Sequence, residues 1–128
     1  MKTRILLSSI LAGLALALPV SADAHADVAS STPAEGAVAK SVKEITLNFN
    51  EAMIPATTTT QLVMTAMPGM ANHNPMQIKN FTTAWSNGNK TVTLALKTAL
   101  RAGTYEVRWQ GAGDDGHRMN GTVHFKVG

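Results

Sequence analysis

The chain contains no cysteine. That excludes disulfides and removes thiolate from the ligands open to a soft metal ion, leaving methionine and histidine for such chemistry. Aromatic residues make up only 5% of the sequence, too few for an array of rings that would face a polysaccharide. Charged residues are also sparse at 15%, and the basic ones are scattered rather than clustered, so there is no electrostatic footprint for nucleic acid. The longest apolar run, residues 5–18, is too short and wrongly flanked to span a membrane as a helix.

That run has a different reading. Lys2 and Arg4 precede it, Pro19 and small residues follow it, and the order is that of a secretory signal peptide over residues 1–24. Three small-residue cleavage motifs overlap there: Val20-Ser21-Ala22, Ala22-Asp23-Ala24 and Ala24-His25-Ala26. The middle one makes His25 the first residue of the mature protein. Removal of Lys2, Arg4 and Asp23 takes the formal charge from +3 to +2, two positive charges and one negative charge being lost. Residues 25–128 then form one domain, of a size that buries a single modest core.

Within that domain apolar residues recur at alternate positions. Ile45, Leu47 and Phe49 form one such set, and Val92, Leu94 and Leu96 another. Tyr105, Val107 and Trp109 form a third, and Val123, Phe125 and Val127 a fourth. Period two is the signature of half-buried strands. Weaker strand signals lie at 27–31, 61–65 and 77–81, and turn-rich stretches at 32–36, 86–90 and 111–116 separate the segments. The expectation is an all-β, immunoglobulin-like Greek-key sandwich or barrel of about seven strands. Tyr105, opening a late strand after Leu100-Arg101-Ala102-Gly103-Thr104, has the placement of a residue that pins a sandwich corner. The β-branched run at 57–60 speaks against helix.

Four of the seven methionines fall within residues 64–76. Met64, Met67 and Met70 have a helical spacing that would ordinarily mark a buried face. Pro68, Gly69 and Pro75 argue against a helix, so the segment reads as a surface loop. Large apolar side chains on a surface loop are costly unless they act, and neutral thioethers suit Cu(I). Met64, Met67, Met70, His73 and Met76 are therefore a candidate Cu(I) site using three or four ligands at once, with a hydrophobic contact patch as the alternative. Met64 doubles as the last core residue of its strand.

His25 and His117 suggest a second centre. At a mature N-terminus, the amine and ring Nδ1 of His25 chelate one ion together, and the imidazole of His117 completes a T-shaped set of three nitrogens favoured by Cu(II). Asp115 and Glu51 are the candidate carboxylates, with Asp114 as a substitute for Asp115 and a solvated strand end as the alternative for Glu51. Capture displaces protons, so it weakens in acid. His124, alternating with Val123 and Phe125, reads as a solvent-facing strand residue.

Taken together, these segments resemble the CopC/PcoC family of periplasmic copper-resistance proteins. The resemblance covers essentially all of residues 25–128. It is carried by His25 followed by Ser30-Ser31-Thr32-Pro33, by Leu47-Asn48-Phe49-Asn50-Glu51, by the methionine segment, by Ala102-Gly103-Thr104-Tyr105 and by Asp115-Gly116-His117. It implies a Cu(II) site at His25, His117, Asp115 and Glu51, and a Cu(I) site in the methionine segment with His73. It also implies a non-enzymatic periplasmic carrier acting alongside an inner-membrane copper transporter and a multicopper oxidase. Arg118-Met119-Asn120-Gly121 departs from the family's Pro-Ile-Thr-Gly, and Met119 there is either a further thioether or a packing residue. Two other functions compete: a copper monooxygenase, which also begins with a chelating histidine, and a metal-free adhesion sandwich.

Overall fold

The computed structural model describes residues 25–71 and 73–128; the expected signal peptide lies outside the described residues. Among the described residues there are nine strands and one short 3₁₀ turn, Pro55–Thr57. The strands are β1 (Val28–Thr32), β2 (Ala37–Ala39), β3 (Glu44–Phe49), β4 (Thr59–Ala66), β5 (Met76–Ile78), β6 (Phe81–Ser86), β7 (Thr91–Leu96), β8 (Gly103–Ala112) and β9 (Arg118–Val127). They form two sheets, one ordered β1-β3-β7-β6 and the other β2-β9-β8-β4-β5. All pairings are antiparallel except β2 with β9, and the order is that of a Greek-key sandwich.

The four alternating segments each occupy a strand with the expected face inward. Ile45, Leu47 and Phe49 of β3 are buried, as are Val92, Leu94 and Leu96 of β7. From the facing sheet come Tyr105, Val107 and Trp109 of β8 and Val123, Phe125 and Val127 of β9. Each such side chain contributes about 1.5–3 kcal/mol of burial. Phe49 meets Trp109 edge-on at 5.0 Å between the two sheets, and within the second sheet Tyr105 stacks on its cross-strand partner Phe125 at 5.5 Å. The Tyr105 hydroxyl donates to the Arg101 carbonyl at 2.6 Å, pinning the corner that leads into β8.

Two strands exceed the expected seven. The segment 77–81 is two strands, β5 and β6, divided at residues 79–80. β6 is an edge strand whose exposed threonines blur the alternation, and β2 is a three-residue edge strand held parallel to β9. The methionine segment also differs from a simple loop, because Met64 sits in β4 and Met76 in β5.

Candidate metal centres

The β8–β9 connection carries the first cluster. Gly116 adopts φ +81°, and its N–H donates to the Gly113 carbonyl, turning the chain so that Asp115 folds back on His117. Asp115 Oδ1 accepts the His117 backbone N–H at 3.0 Å, while Oδ2 lies 3.1 Å from Nδ1 of His117 and 3.7 Å from Nδ1 of His25. The two rings meet edge-on with centroids 4.9 Å apart. One donor atom from each of His25, Asp115 and His117 lies within 4.8 Å of the others, and all three residues are exposed. Two imidazoles and a carboxylate at this spacing are a donor set that a borderline divalent ion accepts.

His25 arrives there by a device not visible in the sequence. The Asn50 side chain clamps the N-terminal segment, its Nδ2 donating to the His25 carbonyl at 2.9 Å and its Oδ1 accepting from the Asp27 N–H at 2.8 Å. Ala26 between them is fully buried, a small plug that fixes the chain against the sandwich. The only sequence signal for this was the position of Asn50, at the end of β3 beside Glu51.

Glu51 lies outside the set of three donors and stands behind Asp115. Its Oε1 is buried without a hydrogen-bond partner and rests against Gly113, where any Cβ would collide with it. Desolvation, then the charge and hydrogen bonding of Asp115, then the charge of Asp114, push the Glu51 carboxyl above its usual range. Asp115 moves the other way: the backbone N–H and then the ring of His117 hold its carboxyl below the ordinary carboxylate range.

These opposite shifts fix the sign of a pH effect. A depressed carboxyl such as Asp115 stabilises the fold above its unfolded pKa and loses that contribution as pH falls through its folded value. The raised Glu51 contributes its stabilisation in acid and loses it as pH rises through its folded value. Glu51→Gln therefore raises the melting temperature of the metal-free protein at neutral pH, and the gain vanishes below the carboxylate range, where Glu51 is itself neutral. Thermal melts of both proteins across pH check this; an equal gain in acid contradicts it.

The methionines lie at the other end of β8. Met64 of β4 stands directly opposite Met76 of β5. Met67 and Met70 exchange two backbone hydrogen bonds, of 3.2 and 2.9 Å, across Pro68-Gly69. Proline followed by a glycine at φ +82° is the sequence of a type II turn. Directly opposed residues share a face, so the four thioethers form two cross-strand pairs. Met64 and Met67, three apart, would face opposite ways on a regular strand; the register shift between Met64 and Ala66 brings both into one pocket. That pocket, about 230 Å³, is lined by Met64, Met67 and Met76 with Ile78, Leu100 and Tyr105. Met70 is exposed outside it, and Met64 belongs to the core.

His73 also lies outside that lining. Its Nδ1 is 2.7 Å from the Asn74 carbonyl, a contact that places the proton of the neutral ring on Nδ1 and the lone pair on Nε2. Nε2 is buried and has no partner. A ring nitrogen held in this tautomer by a backbone carbonyl is prepared as a metal ligand.

From Tyr105, opposite Met64, to Ala112, at the turn bearing Asp115, β8 advances seven residues, or about 23 Å at strand rise. The two clusters thus occupy opposite ends of the sandwich. His124 lies apart from both. Its backbone N–H and Nδ1 contact the Glu35 carboxylate at 2.7 and 2.9 Å, tying the β1–β2 turn to β9, and the first of these holds the Glu35 carboxyl below its usual range.

Fold and side chains together define a class: a small antiparallel sandwich with an exposed His–Asp–His cluster at one end and a thioether-lined pocket at the other. The CopC domain model matches residues 28–128, and the chain belongs to the CopC family. Copper resistance protein C of Pseudomonas syringae pv. tomato is 43% identical over 108 residues, covering 83% of this chain and 82% of that protein. Copper resistance protein C of Escherichia coli is 32% identical over 115 residues, covering 90% of each. The crystal structure of PcoC, a methionine-rich copper resistance protein from E. coli, superposes with a TM-score of 0.73 at 30% identity, over 82% of this chain and all of that one. CopC from Methylosinus trichosporium OB3b shares the fold, with a TM-score of 0.60 at 21% identity over 80% of this chain and 93% of that one.

Proposed function

We propose that this chain is an exported copper carrier and buffer of copper resistance, holding Cu(II) and Cu(I) at separate sites. The observation that carries this reading is the segregation of donors by hardness. Imidazole and carboxylate lie at one end of β8, and thioethers with a preset imidazole lie at the other. Cu(II) is held by His25 and His117 with Asp115, while Glu51 backs the carboxylate and Asn50 holds His25 in place. Cu(I) is held by three or four of Met64, Met67, Met70, His73 and Met76. Copper is cargo here, and the protein turns over no substrate.

Residues 1–24 are a signal peptide in this reading, and cleavage before His25 releases the domain into the periplasm. There the carrier exchanges ions with an inner-membrane copper transporter and a multicopper oxidase. The names of the relatives support the copper assignment, and the geometry supports the division into two sites.

The N-terminus provides the test. Intact mass of the exported protein is expected to begin at His25. A chain retaining Ala24 has an amide where the chelating amine should be. It should bind Cu(II) at least about 100-fold more weakly, beyond the usual cost of losing an outer-shell partner. A mature protein that begins elsewhere, or equal affinity of the two forms, overturns the amine chelate.

A further inference from the structure

The two methionine pairs are built asymmetrically. In the pair across β4 and β5, Met64 is 6% exposed and Met76 is 53% exposed; across the Pro68-Gly69 turn, Met67 is half-buried and Met70 is 55% exposed. Each pair therefore presents one open side chain and one more sheltered one. Met53, outside the segment, is 1% exposed. Resting on the Cu(I) reading above, we infer that Met70 and Met76 are sites of reversible oxidation by hydroperoxides, and that this modification switches off Cu(I) holding without unfolding the domain.

The chemistry is balanced with hydrogen peroxide as oxidant. A thioether lone pair attacks one peroxide oxygen and the O–O bond breaks. A sulfur–oxygen bond forms, the proton passes to the departing oxygen, and water leaves. Sulfur is oxidised by two electrons and the peroxide is reduced by two. Susceptibility follows access to the sulfur, so the open member of each pair reacts first.

The product is a polar sulfoxide, a poorer ligand for Cu(I) than the soft thioether. Because Met70 and Met76 project into solvent, the added oxygen is hydrated at little cost to the fold. The same change at Met64 would put a polar group into the core. The pairing thus confines damage to residues where a sulfoxide reductase can reach and reverse it.

The test treats the purified, metal-free exported protein with limiting hydrogen peroxide and follows oxygen incorporation at each methionine by fragment mass spectrometry. Met70 and Met76 are expected to react at least about tenfold faster than Met64 and Met53, as access dictates. Comparable rates, or a lead by Met64 or Met53, overturn the assignment. Cu(I) affinity is then measured by chelator competition before and after oxidation, with circular dichroism on the same samples. The expected result is an affinity loss of about tenfold or more with an unchanged spectrum, restored by methionine sulfoxide reductase. Undiminished affinity after both residues are oxidised, or an affinity loss that accompanies unfolding, overturns the switch. Absence of Cu(I) binding in the untreated protein would instead bring down the carrier reading, and the order of oxidation would still be read independently.

Discussion

Met67→Ala combined with Met70→Ala removes tight Cu(I) binding, lowering affinity by at least about 100-fold, while Cu(II) binding is unchanged. The choice of residues follows from burial. Met64 is part of the core, where truncation to alanine costs about 2–5 kcal/mol and would confound ligand loss with unfolding. Met67 is only partly buried against that core and Met70 projects from the turn, so the pair can be cut back with modest loss of packing. What remains, Met64, Met76 and His73, lacks the thioethers contributed by the turn. Soft-ion affinity depends on gathering several such neutral donors around one ion. Competition against a chromophoric Cu(I) chelator gives the affinity, and Cu(II) titration of the same protein gives the control. Retention of tight Cu(I) binding would remove the methionine turn from the site.

His117→Ala has the converse effect. Cu(II) affinity falls by at least about 100-fold, more than outer-shell changes produce, and the Cu(I) site is untouched. The His117 side chain is 65% exposed, so its removal leaves stability within about 0.5 kcal/mol, apart from the lost contact with Asp115. The His117 side chain also joins two distant parts of the chain, since its ring meets that of His25 edge-on. Without it, only His25 and Asp115 of that cluster remain. Visible absorption and calorimetry of the variant check the result, and unchanged Cu(II) affinity would place the ion elsewhere.

The alternation in β3, β7, β8 and β9 was readable because each has one face in the core. β6 was hidden because its outward positions include Thr82 and Ala84 and its inward Phe81 and Trp85 are only partly buried. Asp115 and His117 could be paired from their spacing, because a carboxylate two residues from a histidine across a glycine turn closes on it locally. The position of His25 beside them depends on Asn50 and Ala26, contacts across 25 residues that no periodicity encodes. Likewise, methionines could be counted in the sequence, but their pairing could not. It follows from the β4–β5 register and from a bulge after Met64, and both are settled by tertiary packing. Glu51 was identified as a carboxylate near the first centre, and its place behind Asp115 emerged only with the approach to Gly113.

Co-loading tests the central claim most directly. One equivalent each of Cu(II) and Cu(I) is added anaerobically to the exported protein, and the bound copper is measured by mass spectrometry and by electron paramagnetic resonance. Two sites at opposite ends of β8 predict two ions per chain, with the same Cu(II) signal whether or not Cu(I) is present. A single bound ion, or a Cu(II) signal displaced as Cu(I) enters, would contradict two independent sites.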